Sequence, residues 1–243
     1  MRFAYISVMI TDKSSSIGFY DSGVGGITVL DTAMEAMPHE DYVYLADCSH
    51  APYGCRGSDE ILGRAMFCTG KLISDGAKAV VVACNTATAV AVDALRKAYG
   101  AIIIGAEPAI KPACKSGAKN ILVLVTPLTA VQDRFLRLVH AYPDKNITVV
   151  PAEGLASSIE KHIDNTEAVR NEVYALLSRY SVPDAVVLGC THYVHIARLI
   201  KDYYGAGVRV YDGNKGIVDR LHNELSSAGL LNVMGGRVRF VTV

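Results

Sequence analysis

Nine short runs rich in valine, isoleucine and alanine recur along this 243-residue chain, separated by longer stretches with helical spacing. Strands that alternate with helices build parallel α/β sheets, because each parallel pair needs a crossover long enough to hold a helix. The runs predict strands at 17–21, 42–47, 79–83, 101–105, 120–126, 147–151, 185–189, 209–211 and 237–243. Several are apolar without interruption, as strands covered on both faces are. Residues 61–74 and 166–178 read as crossover helices.

Within the alternation lies a repeat. Ala79-Val-Val-Val-Ala-Cys84-Asn85-Thr86 and Ala185-Val-Val-Leu-Gly-Cys190-Thr191-His192 share one design, an apolar strand that delivers a cysteine and a hydroxyl residue at its carboxyl end. Strand ends at Asp21 and Thr126 precede these cysteines by 63 and 64 residues, and those at Asp47 and Pro151 by 37 and 39. Evenly spaced α/β units would by themselves give similar intervals, but not matched cysteines. Three strands in shared register predict an α/β fold of two pseudo-symmetric, doubly wound lobes with mainly parallel sheets. Sites in open α/β sheets lie beyond the carboxyl ends of the strands. Facing lobes would therefore present Cys84 and Cys190 from opposite sides to a ligand in the cleft between them.

Composition narrows the partner. The 24 basic and 24 acidic side chains cancel, so the basic surplus expected of a nucleic-acid binder is missing. Apolar runs fall far short of the ~20 residues of a membrane helix. No nucleic acid and no membrane partner is expected. Met1-Arg2 followed by the apolar stretch 3–10 resembles a minimal signal sequence, but no small-x-small cleavage site follows, so a cytoplasmic protein is expected. The cysteines at 48, 55, 68, 84, 114 and 190 form no Cys-x-x-Cys pair, which disfavours a disulfide framework or zinc ribbon. Apart from Cys84 and Cys190 they are expected to be small apolar filler.

Asp21-Ser22-Gly23-Val24-Gly25-Gly26 follows a strand and opens a helix. A dinucleotide fingerprint would need glycine at 28, where Thr28 stands, and would not place Asp21 against a pyrophosphate. No Gly-Lys-Ser/Thr phosphate loop follows, and no cofactor is expected. The same turn could offer backbone N–H groups to a carboxylate and an acid to a proton, or it could simply cap a helix. Pro52-Tyr53-Gly54 could supply a phenol and an N–H group or be only a turn, and Thr126 and Thr129 mark the matching loop of the second lobe. Cys190, His192 and His195 lack an obvious fourth ligand, so no metal is expected. His195 is expected to face outward, while His192 reads as the acid/base partner of Cys190.

Two thiols across one substrate suit a reaction with mirror-related directions. Inverting a stereocentre takes a base on one face and a conjugate acid on the other, with roles exchanged in reverse. A thiol hydrolase would need only one nucleophile.

These blocks, together with Ala83-Cys84-Asn85-Thr86-Ala87 and Gly189-Cys190-Thr191-His192-Tyr193, resemble the signature of cofactor-independent glutamate racemases, within the aspartate/glutamate racemase superfamily. The resemblance runs from about Ile17 to Leu230. It implies two α/β lobes, 1–97 completed by 208–243 and 98–207, with the active site between them. It further implies that Cys84 takes the α-proton from D-glutamate and Cys190 from L-glutamate. Asp21 would assist Cys84; His192 and Glu160, with Glu153 as the alternative acid, would assist Cys190. Asp21, Ser22, Tyr53, Gly54, Asn85, Thr86, Thr126, Thr129, Thr191 and His192 would bind the substrate glutamate. Supply of D-glutamate to peptidoglycan, and a homodimer, are implied on the same footing. Aspartate racemase is the rival within the superfamily, set back by His192, where that branch commonly has Glu; a non-catalytic homologue would have lost chemistry that these residues retain. Two departures stand out: Val194 replaces a usual proline, and Val125-Thr126-Pro127-Leu128-Thr129 replaces a usual Gly-Thr-x-x-Thr.

Overall fold

The computed structural model describes residues 12–243; the apolar stretch 3–10 and most of the extension before the first strand lie outside the described residues. All nine predicted strands form, with ends moved by at most a residue: β1 Ile17–Asp21, β2 Tyr42–Ala46, β3 Ala79–Val82, β4 Ile102–Gly105, β5 Asn120–Val125, β6 Asn146–Pro151, β7 Ala185–Gly189, β8 Arg209–Tyr211 and β9 Val238–Thr242. They make two sheets, in the orders β4-β3-β1-β2-β9 and β6-β5-β7-β8. Every pairing is parallel. Read backwards, the second order is β8-β7-β5-β6, which matches β4-β3-β1-β2 strand for strand. The repeat thus spans four strands, and β9 is the addition that finishes the first sheet.

The boundaries expected at 97/98 and 207/208 are corrected by this order. β4 lies against β3, with Ala79 opposite Ile102, and its alternating side chains Ile103 and Ile104 enter the two cores on opposite faces of the first sheet. β8 lies against β7, with Ala185 opposite Arg209, and Val208 and Val210 pack into a second-lobe core. The chain therefore crosses between lobes after Gly105 and again after Tyr211. The sequence carries a trace of this, for Gly105 and Tyr211 each follow their lobe's cysteine by 21 residues. The two crossings touch: a Cβ on Gly213 would lie 3.0 Å from the Glu107 carbonyl oxygen.

Helices clothe both faces of each sheet. In the first lobe, Ile27–Ala36 and Asn214–Ser227 cover one face and Ser58–Ser74 and Asn85–Ala98 the other. The helix expected from 61 starts at Ser58, where Asp59 and Glu60 meet its positive end. The stretch 166–178 divides into a tight turn, Thr166–Val169, and a helix, Arg170–Leu177. Asn214–Ser227, the segment after β8, buries Ile217, Val218, Leu221 and Leu225 along one stripe. Each such side chain stabilises the fold by roughly 1.5–3 kcal/mol. Lys78, wholly buried, bonds Glu40 Oε2 at 2.6 Å and the carbonyls of Lys13 and Leu230, tying both ends of the described chain to the first lobe. Among the described residues no helix is long and apolar enough to cross a membrane.

Two of the cysteines expected as filler are not in a core. Cys68 and Cys114 are buried, but Cys48 and Cys55 are exposed. They sit on the segment between β2 and the helix Ser58–Ser74, which turns Asp47 and Tyr53 inward and leaves these two side chains facing outward.

Candidate active site

The carboxyl ends of β1 and β3 bring Asp21, Ser22 and Cys84 together; those of β5 and β7 bring Thr126, Thr129, Cys190, Thr191 and His192. All are buried. Cys84 leaves β3 as the cap of the helix Asn85–Ala98, and its Sγ accepts the Ala87 N–H at 3.5 Å and lies 3.8 Å from Ser22 Oγ. Burial pushes the Cys84 thiol up to about 12, with the charges of Asp21 and Cys190 adding to the rise and the Ala87 N–H opposing it. Without substrate this sulfur is a protonated thiol.

Asp21 folds its own turn around itself. Oδ2 accepts the N–H groups of Gly23 at 3.3 Å and Gly26 at 3.1 Å, while Oδ1 is fully buried and accepts no hydrogen bond. The helix that follows begins at Ile27 without a side-chain cap, so Asp21 supports the turn and keeps one oxygen free. Burial raises its pKa against the pull of His192 and the two amides. Such an oxygen can accept a proton or orient an ammonium group.

The second lobe answers with an imidazole. His192 Nδ1 lies 3.7 Å from Cys190 Sγ and Nε2 lies 3.3 Å from Glu160 Oε2. The Nε2 contact is off the N–H axis, so it is an ion pair and not a directed hydrogen bond. Burial alone would lower the His192 pKa, yet Cys190 and Glu160 carry it up to about 11. The ring is therefore an imidazolium at neutral pH, and it holds Glu160 below the usual carboxylate range. Glu153 is exposed, so Glu160 is the acid that meets His192. Gly154, with φ +74, starts the helix Leu155–Lys161 that carries Glu160.

Three contacts close the lobes on each other. Glu160 Oε1 accepts the Val24 N–H at 3.4 Å, reaching from the second lobe into the Asp21–Gly26 turn. A Cβ on Gly23 would strike that carboxylate, and one on Gly25 would sit 2.6 Å from Thr191 Oγ1. Thr86 Oγ1 lies 3.0 Å from Thr126 Oγ1, which lies 2.8 Å from Thr129 Oγ1. Thr126 also caps the short helix Pro127–Ala130, so the proline that departs from the resembled pattern occupies a first-turn position that needs no N–H.

Some expected site groups are committed elsewhere. The Tyr53 phenol is not offered to the cleft: it accepts from Tyr20 at 2.6 Å and donates to Asp47. The Asn85 amide donates to Ala106 O at 3.1 Å, at the crossing between lobes. His195 is half-buried, with a buried Nε2 that has no partner, instead of facing outward, because the tight turn Thr191–Ile196 rotates it inward before the next helix starts at Ala197. Among the described residues no group of three or more His, Cys, Asp and Glu side chains could hold a metal. Asp47, met in the sequence as a strand end, is the buried hub of a cluster with Arg64, Tyr53 and His50, which spacing alone did not reveal.

A family model described as Asp/Glu/Hydantoin racemase matches residues 22–221. A protein of Clostridium perfringens named glutamate racemase is 40% identical over 218 residues, 88% of this chain and 84% of that one. Among solved structures, a glutamate racemase of Bacillus anthracis superposes with a TM-score of 0.84 at 29% identity, covering 95% of this chain and 89% of the other. One from Francisella tularensis, in complex with D-glutamate, gives 0.83 at 27% identity over 95% and 88%.

Proposed function

The chain belongs to the Asp/Glu/hydantoin racemase family, and from that premise we propose that it interconverts L- and D-glutamate by a two-thiol mechanism that uses no cofactor. The observation that carries this reading is the pair of buried cysteines at equivalent strand ends of two lobes that meet across one cleft.

In the D-to-L direction Cys84, as thiolate, takes the α-proton. The S–H bond forms as the Cα–H bond breaks, and the electron pair passes into the α-carboxylate as an enediolate. The Cys190 thiol then delivers its proton to the opposite face, leaving a thiolate there and L-glutamate in the cleft. The reverse reaction exchanges the roles. The two sulfurs are served differently. In this reading Asp21 Oδ1, which accepts no hydrogen bond from the protein, takes the Cys84 proton. On the other side the His192 imidazolium gives a charged donor to whatever negative charge Cys190 carries. The site residues are buried, so fixed N–H and hydroxyl dipoles act there with little solvent screening. Ser22, Thr86, Thr126, Thr129 and Thr191 offer the neutral donors for the two carboxylates; the cleft needs no arginine for them. A cytoplasmic role in supplying D-glutamate to peptidoglycan belongs to the same reading.

The test is incubation with L- or D-glutamate in deuterated water, following optical rotation and α-deuteration, with aspartate in parallel. Racemisation with α-deuteration is expected for glutamate and is abolished in both Cys84→Ser and Cys190→Ser. Full racemisation by either variant would remove the two-thiol mechanism, and turnover of aspartate alone would move the chain to that substrate.

A further inference from the structure

Behind the first-lobe wall of the cleft lies a buried polar chain that the mechanism does not use. Asp47, fully buried at the end of β2, takes a two-point contact from Arg64: Nε to Oδ2 at 2.8 Å and Nη2 to Oδ1 at 2.9 Å. His50 Nδ1 sits 2.9 Å from Oδ1, and the Tyr53 phenol donates to Oδ2 while accepting from Tyr20. Arg64 itself stands on the helix Ser58–Ser74, its guanidinium 4.7 Å from the centre of the Phe67 ring.

The next residue after Tyr53 is Gly54, and it abuts the other lobe. A Cβ on Gly54 would come within 2.8 Å of Thr126 Cβ and 3.0 Å of its Cγ2. Thr126 is the middle member of the hydroxyl row that joins Thr86 and Thr129. A sequence of contacts thus runs from Arg64 through Asp47 and Tyr53 to Gly54, and from there across the cleft to the carbon side of Thr126, whose hydroxyl lies in the row. Arg64 is the fixed cation of this cluster, and without its fork a buried carboxylate would stand uncompensated.

We propose that Arg64 is a positioning residue: acting through Asp47 and Tyr53, it holds Gly54 against Thr126 and so sets the place of the hydroxyl row that receives a substrate carboxylate. The substrate part of this statement rests on the glutamate reading above; the positioning part does not. Within this proposal the row takes the carboxylate remote from the α-carbon, so loosening it weakens ground state and transition state alike, which appears in KM and leaves kcat nearly unchanged.

The experiment compares the full-length protein with Tyr53→Phe, Arg64→Lys and Arg64→Met, and with Glu60→Gln, which loses an exposed pair with Arg56 and one of the two charges at the helix start but leaves the Arg64–Asp47 pair intact. Tyr53→Phe cuts the chain while keeping the Arg64–Asp47 pair, so it stays informative if Arg64→Met fails to fold. Hydrogen exchange by mass spectrometry reads peptides covering 53–57 and 126–130, and kinetics on both enantiomers reads KM and kcat. Faster exchange at 126–130, in the lobe that Arg64 does not touch, is expected in Tyr53→Phe and Arg64→Met, with KM up about three- to tenfold for both enantiomers and kcat within about twofold. Arg64→Lys should fall between, and Glu60→Gln should match the parent. Unchanged exchange at 126–130 in folded Tyr53→Phe would overturn the proposal, as would a loss confined to kcat. If the parent does not turn over glutamate, the function reading fails by itself and the exchange measurement still decides the positioning role.

Discussion

Replacing Glu160 by glutamine probes the asymmetry between the two sulfurs most directly. The carboxylate lies 3.3 Å from His192 Nε2. At an effective dielectric of about 20 that separation corresponds to about 5 kcal/mol of gross attraction. Glu160 is 28% exposed, so solvent screening reduces the useful part to about 1.4–2.7 kcal/mol, or about one to two pKa units. The imidazolium, held up to about 11 in the parent, should then lose its proton at about 9–10. A raised histidine pKa favours the folded, charged ring fully below its unfolded value near 6.5, and the advantage fades as pH climbs through the folded value. Glutamine shortens that window from the alkaline side. The alkaline limb of kcat/KM should move down by the same one to two units, with roughly a 2- to 10-fold loss near pH 10. Enantiomers have equal free energy in water, so kcat/KM must fall equally in both directions. The asymmetry shows instead in primary isotope effects: that on α-deuterated L-glutamate should rise as proton removal by Cys190 becomes limiting, and that on D-glutamate should shrink. Circular dichroism follows both directions, and a histidine NMR titration locates the ring pKa. An unmoved alkaline limb, or isotope effects that change together, would refute the reasoning.

Gly23→Ala places a methyl group on the Glu160 carboxylate, so kcat/KM should fall at least tenfold while thermal melting of the first lobe stays near the parent's; an unchanged rate would mean that the Val24–Glu160 contact is dispensable. Asp47 gives a pH signature. Burial would raise its pKa, but Arg64, Tyr53 and His50 bring it below the usual value, so it stabilises the fold above about pH 4 and the benefit is lost as pH falls further. In Arg64→Met burial prevails, and the penalty should be about 3–5 kcal/mol at pH 7 and much smaller near pH 4, where Asp47 protonates; calorimetry showing an equal penalty at both would contradict this. Leu221→Ala, in the stripe of the helix Asn214–Ser227, should cost about 2–5 kcal/mol by urea unfolding, and a loss under 1 kcal/mol would show that this helix is weakly docked.

Strands and cysteines were legible from the chain because they are local. A run such as 185–189 is apolar at every position, and only a strand covered on both faces, or a buried helix too short to stand alone, has that composition. The lobe boundaries were not legible, since whether Ile102–Gly105 joins the first sheet or the second depends on which core receives Ile103 and Ile104, a contact with residues far away in sequence. The matching 21-residue intervals to Gly105 and Tyr211 were present but too common a spacing to be decisive. Glu160 was placed through resemblance, and the structure adds its 3.3 Å approach to His192, while Glu153 is exposed. Tyr53 misled for a physical reason: a phenol next to a cleft motif looks like a ligand donor, while its buried acceptor, Asp47, is recognisable as such only when the fold places Arg64 beside it.

The pairing of β9 with β2, in which Tyr42 stands opposite Val238, bears on how the protein is made. On the ribosome, β1 to β4 emerge first and can assemble, but the outer edge of β2 then presents a row of unsatisfied N–H and C=O groups. The strand that covers it is synthesised last, after the whole of the second lobe. Open edges of this kind pair readily with other chains, and late, distant pairings lengthen the time for which a nascent chain stays vulnerable. The first lobe to begin is therefore the last to be finished. Truncations that remove only Val238–Thr242, far from either cysteine, should act by leaving an adhesive edge, and should be seen as aggregation during expression before any change in turnover is measured.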